Sequence, residues 1–133
     1  MAKIKLCDVD DANWMRTIDL ATPEAAKSLD PDEAETLVNF HAEGGENLLQ
    51  LFEVKLPANA RQRVHAHEHD EIIYVVGGAM RVGNRILKPG SSMFVAGETF
   101  YSFEAGPDGL HYLNFRPRKD LSYILPETAE AGR

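Results

Sequence analysis

The 133-residue sequence has a formal net charge of −7, with 44% hydrophobic and 26% charged residues. These values are typical of one soluble globular domain, and the negative charge argues against a nucleic-acid or anionic-membrane partner. No stretch approaches the roughly 20 apolar residues that cross a bilayer, and the first seven residues lack the apolar run of a signal peptide. Cys7 is the only cysteine, which excludes an internal disulfide and a cysteine-rich zinc site. We therefore expect a cytoplasmic protein in which any metal is held by His, carboxylate or phenolate groups.

Residues 1–43 differ in character from the rest of the chain, because they are acidic and rich in Ala and Pro. Asp30–Glu33 combines an N-cap residue, a proline in the first turn and a glutamate three residues after the cap, which predicts a short helix from Pro31. The stretch Thr36–Phe40 can equally form a strand. We interpret residues 1–43, including the segment around Trp14, as an N-terminal arm that packs on the remainder of a single domain or on a partner subunit.

Residues 44–133 contain short apolar runs separated by turn residues, a pattern typical of antiparallel β structure. Gly83-Asn84 is a tight-turn pair, and Ala105–Gly109 is a strong hairpin signal. Short strands at this frequency, with no helices between them, predict an all-β sandwich or closed barrel. The predicted strands are Asn47–Leu56, Glu71–Val76, Ala79–Val82, Arg85–Leu87, Ser92–Val95, Phe100–Phe103 and Leu110–Phe115.

A histidine pair followed by a glutamate carries the clearest chemical signal. His65 and His67 are two residues apart on a predicted strand, so their side chains point to the same face. A short turn after His67 can return the carboxylate of Glu71 to their side. Two imidazoles and one carboxylate around an open position form a facial metal site, which suits divalent iron, manganese, nickel or zinc. Arg63 shares the face of His65 and is a candidate partner for a substrate carboxylate.

The segment His65–Gly78 resembles the first conserved motif of the cupin superfamily, HxHxxxExxxxxxG. His65, His67, Glu71 and Gly78 occupy all of its fixed positions. Asn59 stands where the family has a glycine, and asparagine also tolerates turn conformations.

The second cupin motif, GxxxxxPxGxxHxxxN, fits less well from Gly90 onward. Ala96 takes the proline position, Glu98 the second glycine, Tyr101 the metal-binding histidine and Ala105 the terminal asparagine. This second motif supports the fold but leaves the fourth metal ligand without its usual histidine.

The resemblance to small single-domain cupins implies a double-stranded β-helix, or jelly-roll barrel, over residues 44–133. It implies a divalent metal ion at His65, His67 and Glu71, with Tyr101 as a fourth ligand or a proton donor, and a homodimer. His111 is the other candidate fourth ligand, and its direction depends on the register of the predicted hairpin. A three-residue Pro107–Gly109 loop would place His111 on the Tyr101 face, whereas a four-residue loop would turn it outward.

Three classes of function follow from this pattern. The first is a metal-dependent enzyme on a small organic molecule, which could be a dioxygenase, an isomerase, a lyase or a cyclase. The second is a non-catalytic cupin that binds or senses a small ligand, with a weakened or lost metal site. The third is a structural dimerising domain without a ligand, which ranks last because buried histidines and glutamate would need other partners.

Overall fold

The computed structural model describes residues 3–127, and its architecture is one antiparallel sheet of eight strands. The strand order is β1-β2-β3-β8-β5-β6, with β4 paired to β8 and β7 paired to β5. The all-β prediction is therefore confirmed. In chain order the elements are a 3-10 helix Val9–Asp11, β1 Met15–Arg16, α1 Thr17–Leu20, α2 Pro23–Ala26, α3 Pro31–Glu35, β2 Leu37–Ala42, β3 Gln50–Leu56, β4 Arg61–His65, β5 Glu71–Val82, β6 Arg85–Leu87, β7 Ser92–Val95 and β8 Tyr101–Arg116.

The helix predicted at Pro31 is α3, and it begins with a complete capping box. The Asp30 carboxylate accepts from the Glu33 amide at 2.8 Å, and the Glu33 carboxylate accepts from the Asp30 amide at 3.1 Å. The helix ends at Glu35, and extended backbone at Thr36 leads directly into β2. The short helix and the alternative strand are thus both present, one after the other.

The predicted hairpin at Ala105–Gly109 is wrong, because the chain continues in one direction there. Strand β8 is 16 residues long, and it contacts β4 near its start and β3 near its end. Opposite β5, Met80 pairs with Ala105 and Gly78 pairs with Leu110, so the residues between form a bulge and not a reversal. In the same way Gly77-Gly78 does not end a strand, since β5 runs through both glycines to Val82.

Strand β5 shows how the sheet separates an inner from an outer face. Glu71, Ile73 and Val75 are buried, whereas Ile72 and Tyr74 between them are 42% and 45% exposed. This period of two places the Glu71 carboxylate on the inner face, with the core. The core residues are Val54, Leu56, Ala60, Ile73, Val75, Met80, Phe103, Ala105, Leu110 and Tyr112. In the described part of the chain, no helix is long and apolar enough to span a membrane.

Candidate active site

A cavity of about 490 Å³ lies inside the barrel and is lined on one side by the helical part of the N-terminal segment. Its volume falls in the usual range for small-molecule sites. Ala25, Ser28, Leu29 and Glu33 line it from the helical side. The barrel contributes the polar side chains of Gln62, Arg63, His65, His67, Tyr101, Tyr112, Asn114, Arg116 and Tyr123, and the apolar side chains of Val38, Phe52, Val54, Phe103 and Leu125.

His65 and His67 both line this cavity, and backbone carbonyls fix their rings. His65 Nδ1 is 2.7 Å from the carbonyl oxygen of Arg63, and His67 Nδ1 is 2.5 Å from that of Ser122. A carbonyl oxygen only accepts, so each Nδ1 carries the proton and each Nε2 keeps its lone pair. Burial lowers the pKa of both imidazoles to about 4, so they are neutral near pH 7. Metal-binding histidines are oriented in the same way.

Glu71 lies directly behind the cavity lining, and its side chain is only 1% exposed. Its Oε1 accepts from the Tyr101 hydroxyl at 3.0 Å and from Asn114 Nδ2 at 2.9 Å. Its Oε2 is 3.5 Å from His67 Nε2. Two hydrogen bonds thus fix Oε1 of the Glu71 carboxylate, while Oε2 faces the imidazole of His67.

Tyr101 stands beside His65, as the second-motif position requires. The two residues are register partners on β8 and β4, and their ring centroids are 4.5 Å apart. On its other side the His65 ring stacks on Tyr123, at 4.6 Å. Burial raises the pKa of the Tyr101 hydroxyl, and the negative charge of Glu71 raises it further. Tyr101 is therefore a protonated phenol that donates its hydrogen bond to Glu71.

Arg116 is a cavity residue that the sequence did not reveal. It is the first residue of the basic run Arg116–Lys119, whose composition is typical of a solvated loop, yet its side chain is only 7% exposed. Its Nε donates to Asn114 Oδ1 at 2.9 Å and its Nη1 to the carbonyl oxygen of Asp120 at 2.5 Å. Its Nη2 is 3.4 Å from His67 Nε2. The alternation that buries Tyr112 and Asn114 also buries Arg116, and this period of two was the available signal.

Asp120 anchors the turn that carries these contacts. Burial opposes its ionisation, but hydrogen bonds from the hydroxyl and amide of Ser122 and from the His69 amide, with the charge of Arg116, lower its pKa to about 2. The same segment supplies the Ser122 carbonyl to His67. The carboxylate therefore fixes the backbone that orients both an imidazole and a guanidinium.

The remaining two predicted site residues have partners of their own. His111 lies outside the cavity lining, with its Nε2 2.6 Å from Glu53 Oε2 and its ring 6.0 Å from that of Trp14. Arg63 does line the cavity, where its Nε is 2.9 Å from Glu33 Oε1. The structure thus brings Arg63 to the other predicted residues and keeps His111 apart from them.

The donor chemistry of His65, His67 and Glu71 suits a divalent metal ion. Two unprotonated Nε2 atoms and a carboxylate are a common ligand set for iron, manganese, nickel or zinc. Within residues 3–127, however, no three His, Cys, Asp or Glu side chains are grouped closely enough to enclose a metal ion. The residues fit the chemistry of such a site, and a cation, Arg116, already stands beside them.

Comparison with solved structures identifies the fold. KdgF from Halomonas sp. is 25% identical, with a TM-score of 0.63 over 87% of this chain and 96% of that chain. An RmlC-like cupin from Ralstonia eutropha JMP134 is 15% identical, with a TM-score of 0.66 over 96% and 83% of the two chains. The chain is a small cupin-superfamily protein. The polyketide cyclase RemF from Streptomyces resistomycificus has the same fold, at 17% identity and a TM-score of 0.64 over 95% and 96%. No family model and no curated protein sequence matches the chain.

The motif positions of this cupin have clear backbone roles. Gly78 has φ +67°, and a Cβ built there would lie 2.1 Å from the Gly109 carbonyl oxygen, so only glycine fits. Asn59 adopts φ +60° in place of the family's glycine. Glu98 also adopts a left-handed φ of +63°, and its amide donates to the His67 carbonyl at 2.6 Å. The departures from the motif thus retain a glycine-like backbone beneath the site.

Proposed function

We propose that this cupin is an enzyme that acts on a small organic molecule, with a divalent metal ion held by His65, His67 and Glu71. The observation that carries the proposal is the pair of imidazoles whose Nδ1 protons are engaged by backbone carbonyls, beside a buried carboxylate. The ion is iron, manganese, nickel or zinc. When bound it would supply Lewis-acid polarisation of a substrate oxygen or, if redox-active, oxygen activation.

The chain's own residues position the reacting groups and control protons. Tyr101 and Asn114 both donate to one oxygen of Glu71 and leave the other oxygen toward His67. Burial and the charge of Glu71 raise the pKa of Tyr101, so the phenol stays protonated and holds its hydrogen bond to Glu71 Oε1. The helical part of the N-terminal segment lines one side of the cavity, where Leu29 adds an apolar side chain.

Elemental analysis of untagged protein, purified without chelators, tests the metal centre. We expect near-stoichiometric metal in the wild type and none in a His65→Ala/His67→Ala double variant whose circular dichroism is native-like. His41→Ala is the matched control, because His41 is bonded to Glu53 and lies outside the cavity lining. Iron would direct activity assays to oxygen consumption, and zinc, nickel or manganese to isomerase or lyase reactions. Absence of metal after soaking with each of the four ions would contradict the proposal.

A second function, a metal-free cup that binds a small ligand without catalysis, is favoured by the contacts of Glu71. Its Oε1 already accepts two hydrogen bonds, and Arg116 Nη2 is 3.9 Å away, so the buried negative charge has a counter-ion without a metal. Under this function, ligand binding would be unchanged by chelators. Under the enzymatic function, chelators would abolish turnover and the metal would restore it.

We also propose that the cupin forms a homodimer through the outer face of its sheet. Ile72 pairs with both Phe94 and Phe115, so their exposed side chains adjoin Tyr74 and Val76 in one apolar patch. Patches of this kind are typical of subunit interfaces. Phe94 is 64% exposed, and we expect Phe94→Glu to give a monomer in sedimentation velocity. Ile86→Glu, at an equally exposed site on β6, should leave the dimer intact; a monomeric wild type at micromolar concentration would contradict the proposal.

A further inference from the structure

The cavity contains two guanidinium groups, and their hydrogen-bonding states differ. Arg63 is already paired with a carboxylate, since its Nε lies 2.9 Å from Glu33 Oε1, although without hydrogen-bond geometry, and its Nη2 donates to the Ser28 carbonyl at 2.6 Å. Arg116 is held in place by neutral groups, with Nε on Asn114 Oδ1 and Nη1 on a backbone carbonyl. Glu71, behind the cavity lining, is the carboxylate in ionic contact with Arg116, at 3.9 Å from Nη2.

The Nη2 group of Arg116 makes no short hydrogen bond and can donate to a further acceptor. Its contacts to His67 Nε2 at 3.4 Å and to Glu71 Oε1 at 3.9 Å are both long, whereas charge-assisted hydrogen bonds measure about 2.7–2.9 Å. Glu71 Oε1 already accepts from Tyr101 and Asn114 at normal distances. The charge of Glu71 offsets part of the cost of burying this guanidinium, whose side chain is 7% exposed, and Nη2 still makes no short hydrogen bond.

The apolar part of the cavity wall indicates the chemical nature of the molecule that carries the anionic group. Phe52, Val54, Phe103 and Leu125 form apolar walls in a volume of about 490 Å³. One guanidinium with one open donor group matches one monoanionic carboxylate, and it does not match a phosphate dianion, which requires more donors.

We propose that the cavity binds a small organic acid with an apolar or aromatic body, and that Arg116 is the residue that holds its carboxylate. This inference deepens the proposed function, because it rests on the barrel cavity being the ligand site. It does not depend on which metal ion, or whether any, is bound at His65, His67 and Glu71.

Titration calorimetry with defined probes tests the assignment. The probes are benzoate, phenylacetate and 2-naphthoate, the neutral primary amide of each, and inorganic phosphate, added to chelator-treated and to metal-loaded protein. Loss of a hydrogen bond to a charged group corresponds to about a ten- to hundredfold change in affinity. We expect the acids to bind at least about tenfold more tightly than their amides, and Arg116→Gln to remove that preference. Arg81→Gln is the matched control, because Arg81 bonds to Glu104 and lies outside this cavity.

Several results would overturn the inference. These are equal binding of acids and amides, tighter binding of phosphate, or a larger loss of affinity in Arg63→Gln than in Arg116→Gln. Because Arg116→Gln can also unfold the protein, crystals of the wild type soaked with 4-bromobenzoate give a second test. The anomalous signal of bromine locates the ring, and a carboxylate away from Arg116 would refute the assignment.

The two proposals fail separately. Acid binding that is retained in chelated protein, together with no metal by elemental analysis, would reject the metal centre and keep the role of Arg116. Stoichiometric metal without any preference for acids over amides would reject the role of Arg116 and keep the metal centre.

Discussion

Replacement of Tyr101 by Phe removes one hydroxyl from the network around the buried glutamate. That hydroxyl donates to Glu71 Oε1 at 3.0 Å, and the Glu71 side chain is 1% exposed, so bulk water cannot replace the lost donor. A hydrogen bond to a charged group contributes about 1.5–3 kcal/mol to the free energy of unfolding. Because Asn114 still donates to the same oxygen at 2.9 Å, we expect a loss near about 1.5 kcal/mol, the lower end of that range.

Tyr112→Phe provides a matched control on the same strand. Tyr112 is buried and lines the same cavity, but its hydroxyl has no hydrogen-bond partner among residues 3–127. Its loss should change the free energy of unfolding by less than about 0.5 kcal/mol. Urea unfolding at pH 7, followed by circular dichroism with equal slopes for all variants, gives both values.

Equal effects of the two substitutions would refute this account of Glu71, because the reasoning depends on one hydroxyl being bonded and the other not. Tyr101→Phe also separates the two roles that the motif allows for Tyr101. If Tyr101 is a proton donor, metal content is unchanged in the variant while turnover falls. If it is a ligand, the metal content itself falls.

Three further substitutions test the backbone and the turn beneath the site. Gly78→Ala should lower the free energy of unfolding by about 3 kcal/mol, because the residue has a left-handed φ and its new Cβ would lie 2.1 Å from a carbonyl oxygen. Gly83→Ala is the control, because Gly83 also has a left-handed φ, +60°, but open space around it, and its loss should be only about 1 kcal/mol. Equal losses in urea unfolding would contradict the clash at Gly78. Glu98→Gly should stabilise the protein by about 0.5–1 kcal/mol because it relieves a φ of +63°, and thermal unfolding that shows no gain would count against strain there. Asp120 has a folded pKa of about 2 against 3.8 unfolded, so its ionisation stabilises the fold by about 2 kcal/mol above pH 4 and this contribution is lost as the pH falls through 2. Asp120→Asn should therefore be less stable than wild type at pH 7 and closely similar at pH 2; a difference that does not change with pH would disprove the linkage.

The parts of the fold that local chemistry determines were predictable from sequence. The capping box at Asp30 predicted the start of α3, and the short turn after His67 was expected to return the Glu71 carboxylate to the histidines. The spacing of His65, His67 and Gly78 predicted the cupin barrel, which the comparisons confirm. Each of these signals lies within a few residues of the feature that it determines.

The parts that depend on pairing between distant strands were not predictable in the same way. Gly78 and Gly109 look like turn residues, yet they are required because two strands approach closely, and the chain bulges without reversing. The direction of the His111 side chain could not be predicted either, because it was argued from the loop length of the Ala105–Gly109 hairpin, and the chain forms no hairpin there. Arg116 was not identified as a site residue, because a basic run is usually solvated, whereas the strand and its alternation continue one residue beyond the predicted Leu110–Phe115.

Strand β8 has a consequence that reaches beyond the cavity. Tyr112, Asn114 and Arg116 line the cavity from one side of the strand, while the intervening Leu113 and Phe115 pair across to Tyr74 and Ile72 on the outer apolar patch. Ligand binding and subunit association would therefore act on the same five-residue length of backbone. Reciprocity requires that if dimerisation changes the ligand's affinity by some factor, the ligand changes the dimer's dissociation constant by that same factor. If both proposals hold, the fraction of dimer is therefore expected to change with the concentration of the ligand.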